Sequence, residues 1–101
     1  MPIKDWTDEE LEAAVEAYAE MLEYERAGKP YSKAEINRSL RETGSPLASR
    51  SRPSIEYRMR NISAVLTEEK RPIVKGYAPA ENVGDGIRHR ILRMLKAEGI
   101  A

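Results

Sequence analysis

Apolar residues recur along the chain in four stretches of helical period, separated by polar segments that carry proline and glycine. In the first, "TDEELEAAVEAYAEMLEYERAG", Leu11, Val15, Tyr18 and Leu22 follow at spacings of four, three and four, with Ala14 and Met21 beside them. Positions so spaced share one side of an α-helix, so this side is expected in the core and Glu12, Glu16, Glu20 and Glu23 in water. Thr7 with Glu10 three residues on forms a capping box, and Asp8 and Glu9 suit the positive end of the helix dipole. Gly28 and Pro30 stop the helix, which is expected over about 8–27. Trp6, just before the box, is expected to staple the helix entry to the core.

The remaining stretches are shorter. Ser32 and Glu35 repeat the capping-box pattern, predicting a helix over about 33–42 with Ile36 and Leu40 inward, ended by Gly44 and Pro46. Residues 43–51 have turn-forming composition, with Leu47 the apolar side chain that reaches the core. Pro53 suits a helical first turn, and Ile55, Met59, Ile62 and Leu66 form one stripe of a third helix over about 53–69. Its other side is expected to present Tyr57, Arg60, Asn61 and Ala64, flanked by Ser54 and Arg58 and preceded by Arg52. From residue 70 to 86 the period is lost, which predicts an irregular arm with a short strand over 72–77. Asp85 is expected to cap a last helix carrying a stripe of Ile87, Ile91, Met94 and Leu95. The pattern as a whole predicts one all-α domain over 1–101: a small helix-turn-helix-like bundle of three to four helices with an irregular arm before the last.

Composition narrows the chemistry. The 101 residues include no cysteine, which removes disulfides, thiolate metal sites and cysteine nucleophiles and points to a reducing, cytoplasmic setting. No apolar run approaches the roughly 18 residues of a membrane span, and the acidic opening "MPIKDWTDEE" is unlike a signal peptide. His89 is the sole histidine, set between Arg88 and Arg90 on an exposed helix face, so neither a multi-histidine metal site nor a histidine-activated nucleophile with a histidine orienter can be assembled. The acids at 8 to 10 are explained by capping, and the glycines fit no phosphate loop. No catalytic residue, cofactor site or metal site is expected.

Charge changes the picture more. The formal net charge is zero, yet residues 1–28 carry two bases against nine acids, a net of −7, while residues 29–75 carry eleven against five, a net of +6. Four arginines, at 50, 52, 58 and 60, fall at or beside the third helix. A short helix followed through a turn by a basic one is the order in which a trihelical domain lays its last helix in the DNA major groove. Arginine forks suit guanine or phosphate, Asn61 suits adenine, and Ser54 near a helix N-terminus suits a phosphate. The expected DNA contacts are therefore Arg52, Ser54, Tyr57, Arg58, Arg60 and Asn61, with Lys33, Arg38 and Arg50 as backbone anchors. Two alternatives stand beside this one. The arginines can form intramolecular ion pairs with the acidic first helix. Alternatively, the last helix, over 86–98, can serve as a homodimer or protein interface, leaving the arginines to an acidic partner.

The segments "WTDEELEAAVEAYAEML", "KPYSKAEINRSL", "RSRPSIEYRMRNISAVL" and "GYAPAENVG" together resemble the N-terminal head domain of bacterial McrA-like HNH restriction endonucleases, the type IV enzymes directed at modified DNA. The resemblance covers about residues 6–84 and is most specific at Ser54 to Arg58, Asn61 to Leu66, Gly76, Tyr77, Pro79 and Asn82. More distantly, the tryptophan opening and the arginine-rich third helix are similar to Myb/SANT-type trihelical domains. The resemblance implies a DNA-targeting appendage of a restriction system whose partner is double-stranded DNA and whose nuclease lies in other domains of a longer chain, since the HNH motif has no counterpart here.

Overall fold

A computed structural model describes residues 5–101, apart from the side chain of Asp85. The described residues form four helices and no strand: α1 (Asp8–Arg26), α2 (Lys33–Leu40), α3 (Arg52–Glu68) and α4 (Asp85–Ala97). The chain is thus all-α, with an irregular arm before the last helix.

The capping chemistry explains where each helix starts. Thr7 accepts the Glu10 amide at 3.1 Å and Glu10 accepts the Thr7 amide at 2.8 Å, so the box at α1 is complete. At α2, Ser32 accepts the Glu35 amide at 3.2 Å, but Glu35 returns no bond, so half of the second box forms. Ser51 caps α3 through the Ser54 amide, with Pro53 in the first turn. The N-cap of α4 is Gly84 instead of the expected Asp85, which is the first residue of the helix.

The core takes Leu11, Val15, Tyr18 and Met21 from α1, Ile55, Met59, Ile62 and Leu66 from α3, and Ile91 and Leu95 from α4. Ile36 and Leu40 of α2 pack on it while partly exposed. Leu47, on the 41–51 connection, is fully buried, and Ser45 ties that connection to α2 by donating to the Leu40 carbonyl at 2.5 Å. This connection is longer than the tight turn of a minimal helix-turn-helix because it detours inward to place Leu47. Ile91, Met94 and Leu95 are buried, so most of the α4 stripe is spent on the chain's own core and is not a free docking face.

Two expectations fail in the arm and in α3, for one reason. No strand forms over 72–77, because the Val74 amide donates to the Tyr18 hydroxyl at 2.9 Å, which in turn shares a 2.7 Å bond with Ser63, leaving no strand to pair with. The arm instead folds onto α3. Six consecutive residues of that helix, Asn61–Leu66, are buried, including Asn61 and Ala64, which the sequence pattern placed outward. Only the first half of α3 keeps an outer face.

Candidate nucleic-acid interface

The four arginines at 50, 52, 58 and 60 divide into two pairs with different duties. Arg50 grips Glu10 with two bonds, Nε to Oε2 at 2.6 Å and Nη2 to Oε1 at 2.9 Å, and also donates to the Asp5 carbonyl at 3.2 Å. The two side chains are 15% and 10% exposed, so the pair sits largely out of water. The Arg50 hydrogen bond holds the Glu10 carboxyl below the usual carboxylate range against the opposing effect of burial, and the same bond raises the guanidinium. Arg58 lies over Trp6, its Cζ 4.8 Å from the ring centroid, and the Arg50 Cζ lies 4.9 Å from the same ring. Burial, and then the neighbouring charge of Arg50, push the Arg58 guanidinium downward, and its Nε is buried without a hydrogen-bond partner. One remaining donor, Nη1, bonds the Asn61 side-chain oxygen at 2.9 Å.

Asn61 therefore does not face outward. Fully buried, it accepts from Arg58 and donates to the Ala80 carbonyl at 2.9 Å, joining α3 to the arm. Arg50, Arg58 and Asn61, three of the expected DNA contacts, serve the fold: a carboxylate, an indole ring and an arm carbonyl have taken their polar groups. Ser54, half-buried, turns its hydroxyl back to the Ser51 carbonyl at 3.0 Å.

Arg52 and Arg60 remain on the outer face of α3. Arg52 is exposed and makes a loose 3.5 Å pair with Glu56 one turn on. Arg60 is exposed, and its Nε donates to the Ala78 carbonyl at 3.0 Å, which leaves both Nη groups toward solvent. Tyr57 lies between them and is 42% exposed, the large hydrophobic side chain most open to water among the described residues.

Helix α2 extends this surface. Asn37 donates to the Arg52 carbonyl at 3.3 Å, so the middle of α2 lies against the start of α3. Lys33 is half-buried, its Nζ 5.0 Å from the Tyr31 ring and 5.7 Å from the Tyr77 ring. Burial, and then the nearby charge of Glu56, push the Tyr77 hydroxyl pKa up, and the charge of Arg52 opposes them. Arg38 is exposed and has no ion pair among the described residues. Lys33, Arg52, Tyr57 and Arg60 thus follow one another along α2 and α3, with the buried Tyr77 ring of the arm beneath Lys33. Most acids of α1 are held elsewhere: Asp8 pairs with Arg90 at 2.7 Å and Arg93 at 3.7 Å, and Glu9, Glu12 and Glu16 face water, whereas Glu20 lies beside α2 and Glu25 accepts from the Tyr31 hydroxyl and the Lys75 amide near Lys33.

The sequence pattern did not reveal the arm as part of this surface. Three bonds fasten it to α3: Arg60 to Ala78, the Ala80 amide to the Arg60 carbonyl at 3.1 Å, and Asn61 to Ala80. The signal available in the sequence was an apolar residue at every third position of "GYAPAENVG", Tyr77, Ala80 and Val83, and the structure buries all three.

No protein-family model, curated protein or solved structure matches the chain. Among the described residues, no group of three or more histidine or acidic side chains is placed to hold a metal ion, and no helix is long and apolar enough to cross a membrane.

Proposed function

We propose that this chain is a non-catalytic DNA-binding domain that targets a restriction endonuclease to duplex DNA. The first half of α3 is the contacting element, and α2 supplies anchors to the backbone. The observation that carries this reading is the division of the arginines. Arg52 and Arg60 keep charged groups in water around an exposed Tyr57, with Lys33 and Arg38 alongside, although nearby arginines of the same chain are drawn into internal bonds. Exposed guanidinium and ammonium groups beside an aromatic ring suit phosphates and base edges. The assignment to a restriction system rests on the resemblance of residues 6–84 to McrA-like head domains.

The test is fluorescence anisotropy with a labelled duplex across a salt series. Four cations on the backbone give a slope of about −3 to −4 for log affinity against log salt. Arg52→Ala with Arg60→Ala is expected to remove most of the binding while lowering the melting temperature only by the loss of the exposed Arg60–Ala78 bond, whereas Arg50→Ala is expected to lower the melting temperature further by leaving Glu10 unpaired. Absence of binding at low salt refutes the reading.

A further inference from the structure

Beside α3, Tyr57, Arg60, Pro79, Ala80, Glu81 and Asn82 line an open recess. Its far wall is built with some precision. Ala80 and Val83 are buried anchors, and between them the Val83 amide donates to the Glu81 carbonyl at 2.7 Å, a three-residue turn with Asn82 at its apex. Glu81 and Asn82 are consequently held outward from a fixed backbone, both exposed. The Glu81 carboxylate makes no hydrogen bond or ion pair among the described residues, and Arg60 on the near wall pairs with the Ala78 carbonyl, not with Glu81.

A free carboxylate is out of place on a surface meant for phosphates alone, since it repels them. It fits a surface that also meets base edges. In the major groove a G·C pair presents two acceptors, guanine N7 and O6, followed by a donor, the cytosine N4 amino group; an A·T pair presents acceptor, donor, acceptor and a methyl. The recess offers the complement of the first pattern: the two free Nη donors of Arg60, and across from them the acceptor of Glu81.

We infer that this recess reads a G·C base pair in the major groove, with Arg60 donating to guanine and Glu81 accepting from the cytosine N4 amino group. The inference rests on the duplex-binding reading above and adds to it a residue of the arm as a determinant of specificity. Asn82, at the apex of the turn, faces the neighbouring pair with an amide that both donates and accepts.

The test is selection from a randomised duplex pool with the full chain, followed by anisotropy on the selected site and on versions with each base pair replaced. The native chain is expected to fix at least one G·C position. Glu81→Ala is expected to lose about tenfold of the discrimination for cytosine there, while binding to unrelated duplex is unchanged or tighter, because a negative charge has left the interface. Arg60→Lys, which keeps the charge but loses the fork, is expected to lose the guanine preference and keep the salt slope. The melting curve of Glu81→Ala is expected to match the native one, and that of Arg60→Lys to fall only slightly with the loss of the exposed Arg60–Ala78 bond. Duplex binding without any G·C preference overturns the inference and leaves the duplex reading standing, as does a preference that Glu81→Ala does not alter. Absence of duplex binding overturns both.

Discussion

Asn61 is the residue at which pattern and packing disagree most. A helical wheel places it with Tyr57 and Arg60, yet its amide closes a chain from the half-buried Arg58 through the fully buried Asn61 to the Ala80 carbonyl. Removing the amide leaves a guanidinium donor and a carbonyl unpaired. Asn61→Ala is therefore expected to cost about 1–3 kcal/mol, seen as a drop in melting temperature of about 4–8 °C per kcal/mol. Glu10 makes a second residue-scale prediction. Its carboxyl is held low in the folded chain and takes its ordinary value once unfolded, so folding favours the ionised form. The stability from the Glu10–Arg50 pair is complete above the ordinary carboxylate value of about 4.5 and is lost as pH falls below it toward the folded-state value. Denaturant melts of Glu10→Gln at a series of pH values are expected to show lower stability at neutral pH and a shallower acid limb.

At the scale of elements, all four helices were legible to within about two residues, because caps and stops are local chemistry: Thr7, Ser32 and Gly28 act on backbone groups a few positions away, and Pro53 fits the first turn of α3. The apolar stripes were legible for the same reason. What the pattern could not supply was which second element covers the back of α3. That depends on the Tyr18 hydroxyl capturing the Val74 amide and on Arg60 and Asn61 capturing the arm, contacts between residues 18 or more apart in sequence. Of the nine expected site residues, Arg50, Arg58 and Asn61 joined the framework, Lys33 and Ser54 are half-buried, and Arg38, Arg52, Tyr57 and Arg60 stayed outside. The end of α3 carries its own prediction. Lys70 has φ +58, a left-handed position usually given to glycine after a helix. Lys70→Gly relieves a steric cost of about 1–2 kcal/mol and forfeits part of it to unfolded-state entropy, for a net gain of about 0.5–1 kcal/mol in a denaturant titration.

The whole molecule sorts its charge by depth as well as by sequence. Arginines close four seams between elements, two of them largely out of water, Arg50 with Glu10 and Arg58 with Asn61, and two at the surface, Arg90 with Asp8 and Arg88 with Glu68. Exposed cations on α2 and α3 lie together beside Tyr57 in a chain whose charges balance overall, which is why a pI near 6.6 conceals the surface proposed for DNA. Leu47 sits where this sorting meets the core, buried on a connection between the two proposed DNA-facing helices. Leu47→Ala is expected to cost about 2–5 kcal/mol and to loosen the mutual placement of α2 and α3. In a calorimetric melt followed by anisotropy at a temperature where the variant is still folded, duplex affinity is expected to fall although no exposed cation has changed.

Trp6 is the chain's single tryptophan, and three partners converge on it: the Arg50 and Arg58 guanidinium groups at its ring and Arg90, which donates to its carbonyl at 2.8 Å. The molecule therefore carries its own optical gauge. Indole emission reports the junction where the start of α1 meets α3 and α4, and it lies among the arginines that serve the fold. A duplex seated on Tyr57 and Arg60 is expected to leave that emission largely unchanged while unfolding shifts it to the red, so one intrinsic signal separates loss of structure from loss of binding in every variant described above.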